Sequence, residues 1–79
     1  MKKVEIYTTR FCGFCIRAKG LLENLGIDYV DYPVDKDPEL RRDASQRAGG
    51  HPTVPMIFID DQFIGGCTEL EALHRQGKI

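Results

Sequence analysis

Two cysteines separated by two residues, Cys12-Gly13-Phe14-Cys15, are the groups in this 79-residue chain best suited to chemistry. A third, Cys67, follows the pair Gly65-Gly66 far downstream. An odd number of cysteines is a poor structural disulfide framework, because such frameworks pair their thiols in even numbers in oxidising compartments. A zinc site needs a full tetrahedral ligand set, commonly from a second Cys-x-x-Cys or a paired His motif. Beyond the first pair only Cys67, His51 and His74 are available, and they are scattered. Thiol–disulfide exchange remains: one thiolate attacks a disulfide sulfur, and a second thiol three residues on resolves the product.

The elements that must position this pair follow from hydrophobic periodicity. Residues 3–8, Lys3-Val4-Glu5-Ile6-Tyr7-Thr8, alternate apolar and polar types and predict a strand with one buried face. From Cys12 the period lengthens. Cys15, Ala18, Leu22 and Leu25 form one stripe of a helix, Lys19 and Glu23 pair on its outer face, and Gly26 stops it. Residues 27–34 read as a second strand, ended by Pro33. Asp37-Pro38-Glu39 predicts a helix start, with an N-cap acid and proline at the first helical position. That helix runs to Ala48, is ended by Gly49-Gly50, and has only a weak apolar face (Leu40, Ala44, Ala48), which predicts a surface position.

Val54 to Ile59 predicts a third strand, with Met56-Ile57-Phe58-Ile59 dense enough to be buried on both faces. Asp60-Asp61-Gln62 turns the chain into a short fourth strand, Phe63-Ile64, and Thr68-Glu69-Leu70-Glu71 has the capping-box spacing that opens a last helix to Arg75. The order β-α-β-α-β-β-α implies one α/β domain over residues 1–79. A parallel βαβ crossover and a terminal antiparallel hairpin close as a mixed four-stranded sheet with helices on both faces.

This order puts Cys12 between a strand end and a helix start. The first-turn N–H groups there lack intrahelical partners and carry the positive end of the helix dipole, so a thiolate is stabilised, and the thiolate is the nucleophile. Arg10, Arg17 and Lys19 add positive charge around the turn, and Cys15 lies one turn on, within disulfide reach. Phe14 has no hydroxyl and is expected to pack under a substrate.

Composition narrows the partners. Eleven basic against 12 acidic residues give a net charge of −1, which argues against a nucleic-acid partner. No apolar run approaches the ~20 residues of a bilayer span. The charged start Met1-Lys2-Lys3 is unlike a signal peptide, so a cytoplasmic monomer is the expectation.

Tyr7-Thr8 before the pair, Arg17-Ala18-Lys19 after it, Thr53-Val54-Pro55, and Gly65-Gly66-Cys67 jointly resemble the glutaredoxins, which have the thioredoxin fold. The likeness spans almost the whole chain and is greatest to small bacterial dithiol members with a third cysteine after the double glycine. It implies a glutathione-dependent oxidoreductase acting on protein–glutathione mixed disulfides and protein disulfides, with Cys12 as nucleophile and Cys15 resolving. It also implies that Pro55 is cis and faces the pair, and that glutathione lies strand-like along Thr53-Val54 beside Phe14. Gly66 would let the ligand backbone approach, and the γ-glutamyl carboxylate would sit at Cys67 and Thr68, where a helix start is a ready anion site.

Where many members carry a lysine this chain has Thr9, and the resemblance implies that the adjacent Arg10 takes its role toward glutathione. His51 stands where an arginine or lysine often binds the glycine carboxylate, and Cys67 is expected to be a packed thiol without a redox role. Gly13-Phe14 replaces the usual Pro-Tyr and is also what monothiol glutaredoxins carry. Those relatives hold a [2Fe–2S] cluster between two subunits with glutathione supplying the remaining thiolates. The resemblance therefore leaves open an alternative, cluster carriage with Cys12 as the protein's ligand.

Overall fold

In the computed structural model, which describes residues 2–79, β1 (Val4–Thr8) and β3 (Met56–Ile59) form the centre of the sheet. β2 (Val30–Pro33) and β4 (Gln62–Gly65) lie at its edges, in the order β2-β1-β3-β4. β2 runs parallel to β1, reached through α1 (Gly13–Asn24), while β3 pairs antiparallel with both β1 and β4.

Strand alternation splits the core in two. Val4, Ile6 and Ile57 pack against Ala18 and Leu22 of α1 and against Cys67 and Leu70 of α3 (Cys67–Arg75). On the opposite face Tyr7, Met56 and Phe58 meet Val34 and Ala44, the latter from α2 (Pro38–Arg47). Each fully buried large side chain contributes roughly 1.5–3 kcal/mol, so the two half-cores suffice for a small domain. Only Ala44 of α2 is buried, in keeping with its weak apolar face.

Local signals place most element ends. Asp37 caps α2, accepting from Leu40 N–H at 3.0 Å with Pro38 next. Asp60 and Asp61 both take positive φ in the β3–β4 turn, the backbone that matches strand twist in a tight hairpin. At the end of α1, Gly26 takes φ +67°, its N–H bonds Glu23 O, and Ile27 N–H bonds Leu22 O at 2.9 Å. This is a Schellman motif. It explains why the second strand starts at Val30 rather than at Ile27: the helix end uses residues 26 and 27 for its own orphan carbonyls.

Three expectations are corrected by tertiary contacts. β1 is buried on both faces, not one, with Glu5 5% and Thr8 2% exposed. Helices cover both sides of the central strand, and its polar groups are matched: Thr8 Oγ1 donates to Asp31 at 2.6 Å, and Arg47 donates to Glu5 at 2.9 Å. Lys19 and Glu23 do not pair; Lys19 reaches Asp31 of β2 at 3.0 Å, and Glu23 accepts the Tyr29 hydroxyl. Thr68 does not cap α3. The N-cap is Gly66, whose N–H donates to the Glu69 carboxylate at 2.7 Å, while Glu71 pairs with Arg17 on α1.

Candidate active site

Cys12 is the N-cap residue of α1, and its sulfur accepts the Cys15 N–H at 3.1 Å. A thiolate held there receives a charge-assisted hydrogen bond at the positive end of a helix. In its thiol form Cys12 points at the Val54 carbonyl, 3.8 Å away. The Val54–Pro55 peptide is cis. The Val54 N–H has no hydrogen-bond partner among the described residues, which leaves an edge for an extended ligand.

Cys15 is fully buried on the inner face of α1 with Ala18 and Leu22. Burial first, and then the hydrogen bond to Cys12, push its thiol up to about 12. Burial also raises the Cys67 thiol, and the nearby Glu71 adds to this. At neutral pH both thiols therefore stay protonated. We expect iodoacetamide at pH 8 to label Cys12 while Cys15 and Cys67 react only on unfolding. Peptide mapping by mass spectrometry checks this, and rapid labelling of Cys15 in the folded chain would contradict it.

A groove at the start of α3 reaches the thiol pair through Val54, whose carbonyl lies 3.8 Å from the Cys12 sulfur. Phe14, His51, Thr53, Val54, Pro55, Gly66, Cys67, Thr68 and Glu69 line it. Phe14, Thr53, Val54, Pro55, Gly66, Cys67 and Thr68, all singled out in the sequence, are thus brought together. Arg10 is not among them. Its N–H is tied to the Asp35 carboxylate at 2.7 Å, and it borders a separate depression with Lys19 and Asp31. Arg17, expected to bring free positive charge, is instead held by both oxygens of Glu71, at 2.7 and 3.0 Å.

Two features escaped the motif reading. Glu69 lies in the groove wall with its carboxylate on Gly66 N–H and the Thr68 hydroxyl, which hold it below the usual carboxylate range. Its N3 position after Gly66 was the available signal, obscured by the more obvious threonine. Phe11, beside Cys12, is the other; it fell outside the helical stripe and so drew no packing role.

Gly65 supports Glu69. It takes φ +119°, and a Cβ there would come within 2.5 Å of the Glu69 side chain. Glu69 can retreat only by releasing Gly66, and the backbone strain stays. Gly65→Ala is expected to cost about 2 kcal/mol, read from the urea midpoint; an unchanged midpoint would contradict it.

A mixed sheet with a Cys-x-x-Cys at the β1–α1 junction, facing a cis-proline, defines a thioredoxin-fold thiol–disulfide oxidoreductase. The glutaredoxin family model matches residues 4–64. The chain is 47% identical over 79 residues to a glutaredoxin of Pseudomonas aeruginosa, covering all of this chain and 93% of that one. Against glutaredoxin 3 of Escherichia coli it is 46% identical over 77 residues, covering 98% and 92%. It superposes on a buckwheat glutaredoxin–glutathione complex with TM-score 0.88 and 31% identity, covering 98% of this chain and 72% of that one. The chain belongs to the glutaredoxin family.

Proposed function

We propose that this chain is a glutathione-dependent oxidoreductase that reduces protein–glutathione mixed disulfides and protein disulfides through Cys12. The observation that carries the reading is the groove that runs from Val54, whose carbonyl lies 3.8 Å from the partly exposed Cys12 sulfur and whose N–H is unpaired among the described residues, to the start of α3. A tripeptide thiol laid along it pairs its backbone with Val54, rests on Phe14 and brings its sulfur to Cys12. Its α-carboxylate meets the first-turn N–H groups at Cys67 and Thr68.

The Cys12 thiolate attacks the glutathione sulfur of a mixed disulfide. A Cys12–glutathione bond forms as the old S–S bond breaks, and the client leaves as a thiolate. A second glutathione thiolate attacks the adduct, releasing glutathione disulfide and restoring Cys12. For a protein disulfide, Cys12 attacks first and Cys15 displaces the reduced client, leaving a Cys12–Cys15 disulfide that two glutathiones reduce. Cys15 loses its proton as it attacks the Cys12 sulfur. The reaction needs one groove and one chain, so it proceeds in a monomer, and it suits the reducing cytoplasm. No helix of the described residues is long and apolar enough to cross a membrane.

The alternative reading, a [2Fe–2S] carrier, uses Cys12 as the single protein ligand from each of two chains, with glutathione supplying the remaining thiolates. One chain cannot hold a cluster by itself: Cys15 and Cys67 are buried, and among the described residues no three His, Cys, Asp or Glu side chains converge. The test of the proposed activity is glutathione-dependent reduction of the glutathione–mercaptoethanol mixed disulfide, coupled to glutathione reductase. Steady turnover that scales with the chain's concentration is expected, and its absence overturns the reading.

A further inference from the structure

The large apolar side chains exposed on this protein are concentrated around its reactive thiol. Phe11 is 91% exposed, Ile16 62% and Phe14 55%, and the remaining one among the described residues, Val30, lies on edge strand β2. None of the three belongs to either half-core. Phe14 lines the groove; Phe11 and Ile16 do not.

A packing role for Phe11 and Ile16 is the natural first explanation. With Cys12 as N-cap they occupy the N′ and N4 positions, where apolar residues close a hydrophobic staple over the helix start. Their exposure excludes it, because a phenylalanine bare over 91% of its surface is not closed against anything. Ile16 N–H bonds the Cys12 carbonyl at 3.1 Å, so Ile16 stands one turn along from Cys12 on the same side of the helix. Arg10, also exposed and in no ion pair among the described residues, adds a positive charge beside Phe11.

We infer that Phe11 and Ile16 form a client-selecting rim that favours polypeptides whose reactive cysteine is flanked by large apolar side chains. This rests on the reading of Cys12 as the attacking thiol. Phe11 precedes Cys12 and Ile16 stands one turn along from it, both exposed and outside the groove lining, so a polypeptide joined to the Cys12 sulfur meets them as bare apolar surface. Burying these two side chains strengthens the encounter for an apolar flank and does nothing for a polar one. Arg10 favours an acidic residue further along the same client.

The test uses pentapeptides with leucine or serine on both sides of a cysteine that carries a thionitrobenzoate group. Cys12 attacks the peptide sulfur, a Cys12–peptide bond forms, the S–S bond to the aryl group breaks, and the coloured aryl thiolate leaves with the electron pair. Glutathione is not needed, so failure of glutathione-dependent turnover leaves this comparison intact. The native chain is expected to react with the leucine peptide about tenfold faster than with the serine peptide. Phe11→Ser with Ile16→Ser removes that advantage while rates with the serine peptide and with a thionitrobenzoate–mercaptoethanol disulfide stay within about twofold. Equal rates for both peptides with the native chain overturn the proposal, as does a loss in the variant that is the same for all three substrates.

Discussion

Cys12→Ser is expected to abolish the proposed reduction of a glutathione mixed disulfide, and Cys15→Ser to retain most of it. The serine hydroxyl does not ionise in this range and is a far weaker nucleophile than a thiolate, so a loss on the order of a thousandfold or more is expected. Neither remaining cysteine can take over, since both are buried and both thiols are raised by that burial. Cys15→Ser preserves what Cys12 needs from position 15, a backbone N–H 3.1 Å from its sulfur. The monothiol cycle, in which a second glutathione resolves the adduct, then proceeds.

With a protein disulfide as substrate the same variant should stall as a Cys12–client adduct, visible by non-reducing electrophoresis. Steady-state turnover of the two variants on both substrate types checks the whole pattern. Loss of activity on the small mixed disulfide in Cys15→Ser would show that the dithiol route dominates. Activity in Cys12→Ser would displace Cys12 as nucleophile.

The largest expected effect away from the thiols is at Arg47. Glu5 sits in the middle of β1 at 5% exposure, and Arg47 supplies its closest partner at 2.9 Å. The same guanidinium lies 4.0 Å from the centre of the Phe58 ring and contacts Tyr7 OH at 3.3 Å and Asp61 at 3.0 Å. Arg47→Met keeps the stem but leaves the Glu5 carboxylate with only the Tyr32 hydroxyl at 3.3 Å and Lys3 at 3.9 Å.

Breaking a buried pair on one side costs about 3–5 kcal/mol. The Arg47 side chain is 31% exposed, so screening reduces the expected loss to about 2–3 kcal/mol. In a domain of this size, stable by roughly 4–12 kcal/mol, that is a large fraction. Adding Glu5→Gln to Arg47→Met removes the stranded charge and should recover part of the loss. Urea unfolding of the single and double variants checks this; a loss under about 0.5 kcal/mol for Arg47→Met would mark the pair as a mere surface contact.

The sequence by itself determined the features governed by neighbours along the chain. The change from period two to helical period at Cys12 located the thiol at a strand–helix junction. Asp37-Pro38 started α2, Gly26 stopped α1, and Asp60-Asp61 turned the hairpin, because capping and turn geometry depend on a few adjacent residues. Family resemblance in Thr53-Val54-Pro55 and Gly65-Gly66-Cys67 then joined distant blocks that periodicity could not connect.

Only the tertiary structure decided which partners the polar groups took. Lys19 left Glu23 for Asp31, Arg17 went to Glu71, the Asp35 carboxylate took the backbone N–H of Arg10, and Glu69 rather than Thr68 completed the start of α3. It also buried Glu5 against Arg47 and put Cys12 beside Val54, 42 residues away. The physical reason is that a charged side chain pairs with whatever the sheet order and helix placement bring within reach. An exposed pair within one helix gains only about 0.2–0.5 kcal/mol, too little to hold against a better-placed or better-buried partner from another element.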